Sequence, residues 1–253
     1  MTIVNRVLGL FMSGLAMSAG AVAAAAGEAA PRGVVELFTS QGCSSCPPAD
    51  ALMNRLAQDR SLVALTFPVD YWDYLGWKDT LARPEFSQRQ RGYAGSRGDR
   101  AIYTPQMVVN GREHVVGSDQ AAIDRSVSGQ RDRFGGLPVE TAIEVKGDVV
   151  TARVGEARNP ADSKATLWLV VFDRNNTVPI GRGENRGRQV TYSNVVRQVQ
   201  PIGMWKGKPL SVELPKHDLM PNDNTGMAVL LQVDADGKPG AILGAALLAG
   251  PSS

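Results

Sequence analysis

The chain has 253 residues, 43% of them hydrophobic and 21% charged, a composition that excludes disorder as the main state. Lys and Arg number 27 against 25 Asp and Glu, a formal charge of +2 that falls short of the strongly basic balance of phosphate-binding proteins, so nucleic acid is not an expected partner. Its two cysteines and two histidines, His114 and His217, lack paired metal-ligand spacing, so neither a structural metal nor any other cofactor is expected, and a structural role is the default for both histidines.

Residues 1–26 read as a secretory signal peptide: Arg6 with the amino terminus, an apolar run from Val7 to Met17, and the small-residue site Ala24-Ala25-Ala26. The competing reading is an uncleaved membrane anchor, Val7 to Ala26 being about the length of a bilayer span, although Ser13, Gly14, Ser18 and Gly20 dilute it. No later stretch is long and apolar enough to span. The expected location is the periplasm or the exterior, where disulfides persist.

In chain order, Val34 to Thr39 is a β-branched and aromatic run that ends in Ser40-Gln41-Gly42, a strand followed by a turn. Cys43-Ser44-Ser45-Cys46-Pro47-Pro48 comes next, and Leu52, Met53 and Leu56 then recur at helical spacing over Ala49 to about Asp59. Leu62 to Val69 forms a second strand, which makes a βαβ unit with parallel strands. Asp70 to Asp79 holds the rings Tyr71, Trp72, Tyr74 and Trp77. Pro84, suited to a first turn, opens a helix to about Tyr93. Thr104-Pro105 precedes a strand to Val109, Asn110-Gly111 is a hairpin signal, and Arg112 to Val116 is its return strand. Ser118 is the expected cap of a helix to about Val127.

Phe134-Gly135-Gly136-Leu137-Pro138 reads as a boundary between an α/β unit, residues 33–134, and a mainly-β, sandwich-like unit, residues 137–250. The expected strands of the second unit are Thr141 to Val145, Val149 to Val154, Ala165 to Phe172, Leu210 to Leu214, Met227 to Val233 and Ala241 to Leu248. Arg182, Arg186, Arg188, Arg197, Lys206 and Lys208 fall in one polar stretch, read as a solvated hairpin with an anion or partner surface as the alternative.

A Cys-x-x-Cys between a strand and a helix has a chemical reading. The unpaired N–H groups and dipole of the helix start stabilise a thiolate. Cys43, expected to be the more exposed sulfur, is the nucleophile, and Cys46 resolves the mixed disulfide. That chemistry requires a sulfur that solvent can reach. An inert disulfide and part of a metal site are the other readings, though a staple across so small a loop contributes only about 2 kcal/mol against roughly 3 for fifteen residues. Pro47 and Pro48 confine the helix start to Ser45 or later.

The order of elements and the position of the pair resemble the thioredoxin superfamily over about residues 33–130. The resemblance implies a cis-proline facing the cysteines, for which Thr104-Pro105 stands in place, with a trans turn proline as the alternative. It also implies a buried carboxylate beneath the pair. Glu36 is the candidate, but it lies one residue further from Cys43 than is usual, so strand alternation can aim it at the opposite face and leave it a solvated or salt-bridged carboxylate. More narrowly, Phe38 to Asp50, Asp70 to Trp77 and Thr104-Pro105-Gln106 together look like a secreted bacterial domain-of-unknown-function family with a thioredoxin-like fold. Gly183-Glu184-Asn185 and Tyr192 to Arg197 extend that likeness into the second half.

The loop after Val69 is expected on the strand edge that carries Cys43. There Tyr71, Trp72 and Trp77 form either a wall for a substrate peptide, with Thr104 beside it and Asp70 or Asp73 handling protons, or a small core under the loop. The function expected is thiol–disulfide oxidoreduction, with a thiol- or disulfide-bearing protein or small thiol as partner. The alternative is a non-enzymatic binding or assembly module with a permanent disulfide.

Overall fold

The computed structural model describes residues 30–157 and 164–248, and the expected signal segment lies outside them. The fold is mixed α/β, built around one large sheet. The first half comprises β1 (Gly33–Thr39), α1 (Pro47–Leu56), β2 (Leu62–Pro68), α2 (Pro84–Arg97), β3 (Gln106–Val109), β4 (Glu113–Val116) and α3 (Gln120–Phe134). A 3-10 turn, Asp73–Leu75, lies between β2 and α2. The second half comprises β5 (Thr141–Lys146), β6 (Val149–Val154), β7 (Ala165–Pro179), β8 (Gln189–Trp205), β9 (Leu210–Pro215), the short α4 (Lys216–Leu219), β10 (Thr225–Ala235) and β11 (Lys238–Leu247).

Among the described residues, eight strands form one sheet in the order β11-β10-β7-β8-β2-β1-β3-β4, so strands from both sides of residues 134–138 share a ladder. β1 and β2 are parallel, β3 runs antiparallel to β1, and β4 returns antiparallel to β3. Every residue of β1 and β2 is buried, as continuous apolar runs covered on both faces require. α1 and α3 pack on the face carrying Val35, Leu37, Leu62 and Ala64. α2 packs Phe86 and Tyr93 on the opposite face, against Phe38, Phe67 and residues of β7, β10 and β11. β5, β6 and β9 form a separate three-stranded sheet, which buries Val150, Ala152 and Val154 against Leu167, Leu169, Met227 and Val229.

β2 meets β8 in parallel at Thr66 opposite Val195. Side chains complete this seam: the Thr66 hydroxyl donates to Ser193 O at 2.6 Å, and Asn194 Nδ2 donates to Ala64 O at 2.9 Å. Asn194 adopts φ 49°, a left-handed conformation that asparagine tolerates better than most residues.

The expected solvated hairpin accounts for only part of residues 182–208. Arg182, Arg186 and Arg188 do lie exposed on a hairpin tip, but a 17-residue strand follows and buries Tyr192 to Val196. Pro201, Gly203 and two register shifts hide its period-two pattern. The cap of α3 is Asp119, which accepts the Ala122 N–H at 2.9 Å, rather than Ser118. That helix continues to Phe134 because Ser126 and Gln130 extend its buried stripe, Gln130 Nε2 donating to Val109 O at 3.1 Å. No helix among the described residues is long and apolar enough to cross a membrane.

Candidate functional site

The turn after β1 delivers Cys43 to the mouth of the βαβ unit, and Cys46 is the residue before α1, with Pro47 and Pro48 in the first helical turn. Cys43 and Cys46 form a disulfide with Cα atoms 5.4 Å apart. Between them, Ser44 and Ser45 are exposed, and Ser45 donates from its hydroxyl to Cys43 Sγ at 3.4 Å. The cysteines themselves are covered: Cys43 is 2% exposed and Cys46 is fully buried. The expectation of an open first sulfur is therefore corrected, and in this closed form the pair cannot meet a thiolate of a folded protein.

Two elements pack on the cysteine turn and form its cover. The first is the loop between β2 and α2. Trp72 abuts Gly42, where an added β-carbon would lie 3.1 Å from Trp72 Cβ, and its indole donates to Thr104 Oγ1 at 2.7 Å. The Thr104–Pro105 peptide is cis, and Pro105 is buried. Gly117 packs between Pro105 and Ala49 of α1, so the proline loop and the helix of the cysteines share one contact. Trp77 donates to Gln41 Oε1 at 2.8 Å, and Asp79 accepts the Gln41 N–H at 2.7 Å. The second element is the β7–β8 hairpin tip, from which Asn185 reaches in and donates to the carbonyls of Gln41 at 2.9 Å and Cys43 at 2.8 Å. The tip's Gly181 and Gly183 pack on Trp77.

Of the expected wall, Tyr71, Trp72 and Trp77 are half-buried and hold the cover together instead of lining an open groove. Burial pushes the Tyr71 phenol up to about 12. Asp73 accepts the Asp79 N–H at 3.0 Å, and Asp70 accepts from the Ser87 hydroxyl at 2.5 Å. Asp73 thus braces the loop itself, and Asp70 ties the end of β2 to α2. Tyr74, 77% exposed, stacks on Trp72.

Glu36 is not beneath the pair. It lies on the α2 face of the sheet, fully buried, and pairs with Arg89 at 2.8 Å while accepting from the Tyr93 hydroxyl. Gln232 Nε2 donates to the same Tyr93 oxygen at 2.7 Å, tying this network to β10. Strand alternation explains the correction: Val35 and Leu37 face α1, so Glu36 faces away.

The carboxyl on the cysteine side is Asp50, which the sequence reading missed. Asp50 follows Cys46 by one helical turn, its N–H bonds to Cys46 O at 3.1 Å, and its Oδ1 accepts from the Thr39 hydroxyl at 2.7 Å. Residues four apart share a helix face, and that spacing was the available signal. No cation pairs with Asp50, and its Oδ2 has no hydrogen-bond partner among the described residues. Burial above all, then repulsion from Asp79, outweighs the Thr39 bond and raises its pKa to about 8. Asp79 is raised to about 6 by burial, despite three backbone N–H donors. Tyr192 of β8 feels both carboxylates, and its phenol is pushed up, first by burial. Asn185 and Tyr192 fall in the two blocks that carry the likeness into the second half, but nothing local in them points to the cysteines.

His114 bonds through Nδ1 with the Tyr103 hydroxyl at 2.8 Å, and His217 is exposed beside Asp148 and Asp218. Among the described residues, no cluster of His, Cys, Asp and Glu is suited to holding a metal ion.

The chain belongs to the family of proteins of unknown function DUF1223, whose profile matches residues 34–232. It is similar to a protein solved by X-ray crystallography, AGR_C_4864 from Agrobacterium tumefaciens, with 40% identity and a TM-score of 0.80 over 89% of this chain and 97% of that one. It shares a fold with HBP35 of Porphyromonas gingivalis, with 16% identity and a TM-score of 0.54 over 87% of this chain and 76% of that one. No protein of curated function matches the sequence.

Proposed function

We propose that this is an exported thiol–disulfide exchange protein whose resting disulfide is capped and reacts once its cover moves. Its first half reads as a thioredoxin-like unit. The parallel β1–β2 pair, the antiparallel β3–β4 hairpin, and helices on both faces support that reading, as does the cis Thr104–Pro105 bond beside α1.

The observation that carries the proposal is Asp50. A buried carboxyl without a cation is costly, and a disulfide that served only as a staple has no use for it. Exchange does use it. A partner thiolate attacks Cys43 Sγ, the Cys43–Cys46 bond breaks, and the electron pair leaves on Cys46, which takes the proton held by Asp50. A second partner thiolate then attacks the partner sulfur of the mixed disulfide and releases the Cys43 thiolate. The pair gains two electrons, and the partner leaves as a disulfide. In the reverse direction Asp50, as carboxylate, accepts the Cys46 proton, a task its raised pKa suits because it lies near that of a thiol.

The test replaces Cys46 with alanine and asks whether disulfide-bearing proteins become covalently trapped on the free Cys43 thiolate, which attacks the partner disulfide and releases its other sulfur as thiolate, alongside reduction of the native pair by dithiothreitol. Trapped species and an openable disulfide are expected. Burial of both cysteines favours a second reading, a binding module with a permanent disulfide. A native pair that resists dithiothreitol, with nothing trapped, would establish that reading and end the first.

A further inference from the structure

The β7–β8 hairpin tip has two faces with different chemistry. Inward, Asn185 is 1% exposed and holds the carbonyls of Gln41 and Cys43. Outward, Arg182, Arg186 and Arg188 are exposed, and none has a carboxylate within ion-pairing distance among the described residues. Glu184 is the tip's one acidic side chain, and exposed Lys78 adds positive charge from the neighbouring loop, next to the Trp77 on which the tip packs. Backbone bonds of Gly187 N–H to Ile180 O at 2.8 Å and of Arg188 N–H to Asn185 O at 3.1 Å make the tip a compact unit. A pull on the arginines is thus transmitted to Asn185.

Resting on the exchange reading, we propose that this tip is the docking element for an acidic segment of the exchange partner, and that docking withdraws Asn185 from the Cys43 carbonyl and uncovers the disulfide. Charge complementarity selects the partner: three guanidiniums without a carboxylate partner among the described residues concentrate an acidic chain at the tip and offer bidentate contacts to its carboxylates. Asn185 is a positioning residue. It contacts the backbone of the cysteine turn through two hydrogen bonds, and its other amide atom, Oδ1, is buried without a partner among the described residues, while the tip itself packs on Trp77 and is rooted by the buried Ile180.

The experiment measures the rate at which the native disulfide is reduced by three probes: dithiothreitol, a synthetic dithiol peptide flanked by glutamates, and the same peptide flanked by glutamines. It compares the wild type, the Arg182→Gln/Arg186→Gln/Arg188→Gln triple variant and Asn185→Ala. The ratio of acidic to neutral peptide rates, taken between wild type and triple variant, cancels differences in thiol pKa between the peptides. That ratio should be roughly tenfold larger in the wild type at low salt and should collapse at high salt. Asn185→Ala should speed reduction by dithiothreitol and by both peptides. An acidic-to-neutral ratio that is the same in wild type and triple variant, with dithiothreitol still opening the pair, overturns the docking proposal and leaves exchange standing. A pair that resists every probe in all three proteins overturns exchange itself.

Discussion

Asp50 sits one helical turn beyond Cys46, hydrogen-bonded to it through the backbone, with its carboxyl turned to Thr39 and away from any cation. The second cysteine and a proton-holding group are therefore fixed on one rigid helix face, which makes their coupling testable through pH.

The unfolded chain releases the Asp50 proton near 3.8, whereas the folded protein keeps it to about 8. Between those values the native state binds the extra proton, so stability falls as pH rises through the window. Asp79, raised to about 6, adds a loss of the same sign at its lower end. Asp50→Asn keeps a neutral acceptor for Thr39 and removes the charge. We predict that thermal melts of the oxidised protein between pH 5 and 9, a range chosen to span roughly that window, will show the variant gaining a few degrees over wild type at the alkaline end and little at the acid end. A wild-type melt that is flat across the window would contradict the assignment.

Breaking the Glu36–Arg89 pair separates stability from chemistry. Glu36→Gln leaves the Arg89 guanidinium, which is only 11% exposed, without its anion and should cost about 3–5 kcal/mol in urea unfolding. Because Glu36 lies on the α2 face, the rate at which dithiothreitol opens the disulfide in the folded variant should match wild type. A strong slowing would restore Glu36 as a proton relay.

The seam between β2 and β8 depends on few groups. Asn194→Ala removes the amide that bonds Ala64 O and places alanine at φ 49°, so a loss of about 2 kcal/mol is expected from chemical denaturation. Asn194→Gly relieves the backbone part alone and should recover some of that loss. Equal stability of both variants with wild type would mean that the seam is held by other contacts.

A β-carbon at Gly117 would lie 2.7 Å from Leu37 Cδ1 and 3.1 Å from Pro105 Cβ. Gly117→Ala should therefore wedge the proline loop away from α1, with a cost of about 1–3 kcal/mol. Reduction by dithiothreitol should quicken if the proline loop is part of the cover. An unchanged rate together with lost stability would remove Pro105 from the cover and leave the two loops already described.

Local periodicity was enough for most of the elements. The βαβ start, the parallel pairing of β1 with β2, the helix opening at the two prolines and the Asn110-Gly111 turn, with both residues at positive φ, all follow from residues near in sequence. The disulfide partners were the only two cysteines available. β8 was hidden because Pro201, Gly203 and the bulges interrupt its alternation.

The candidate site divides in the same way. Chain-local chemistry put two cysteines at the head of a helix and Asp50 one turn behind, since a helix face is a matter of spacing alone. Whether the sulfurs meet solvent was decided elsewhere, because accessibility is a property of every atom nearby, and those atoms come from distant segments. Trp72 and Asn185 close the site from a loop and a hairpin tip that only the folded sheet brings together. The side of the sheet on which Glu36 emerges was likewise settled by packing, which buried it against Arg89 and Tyr93.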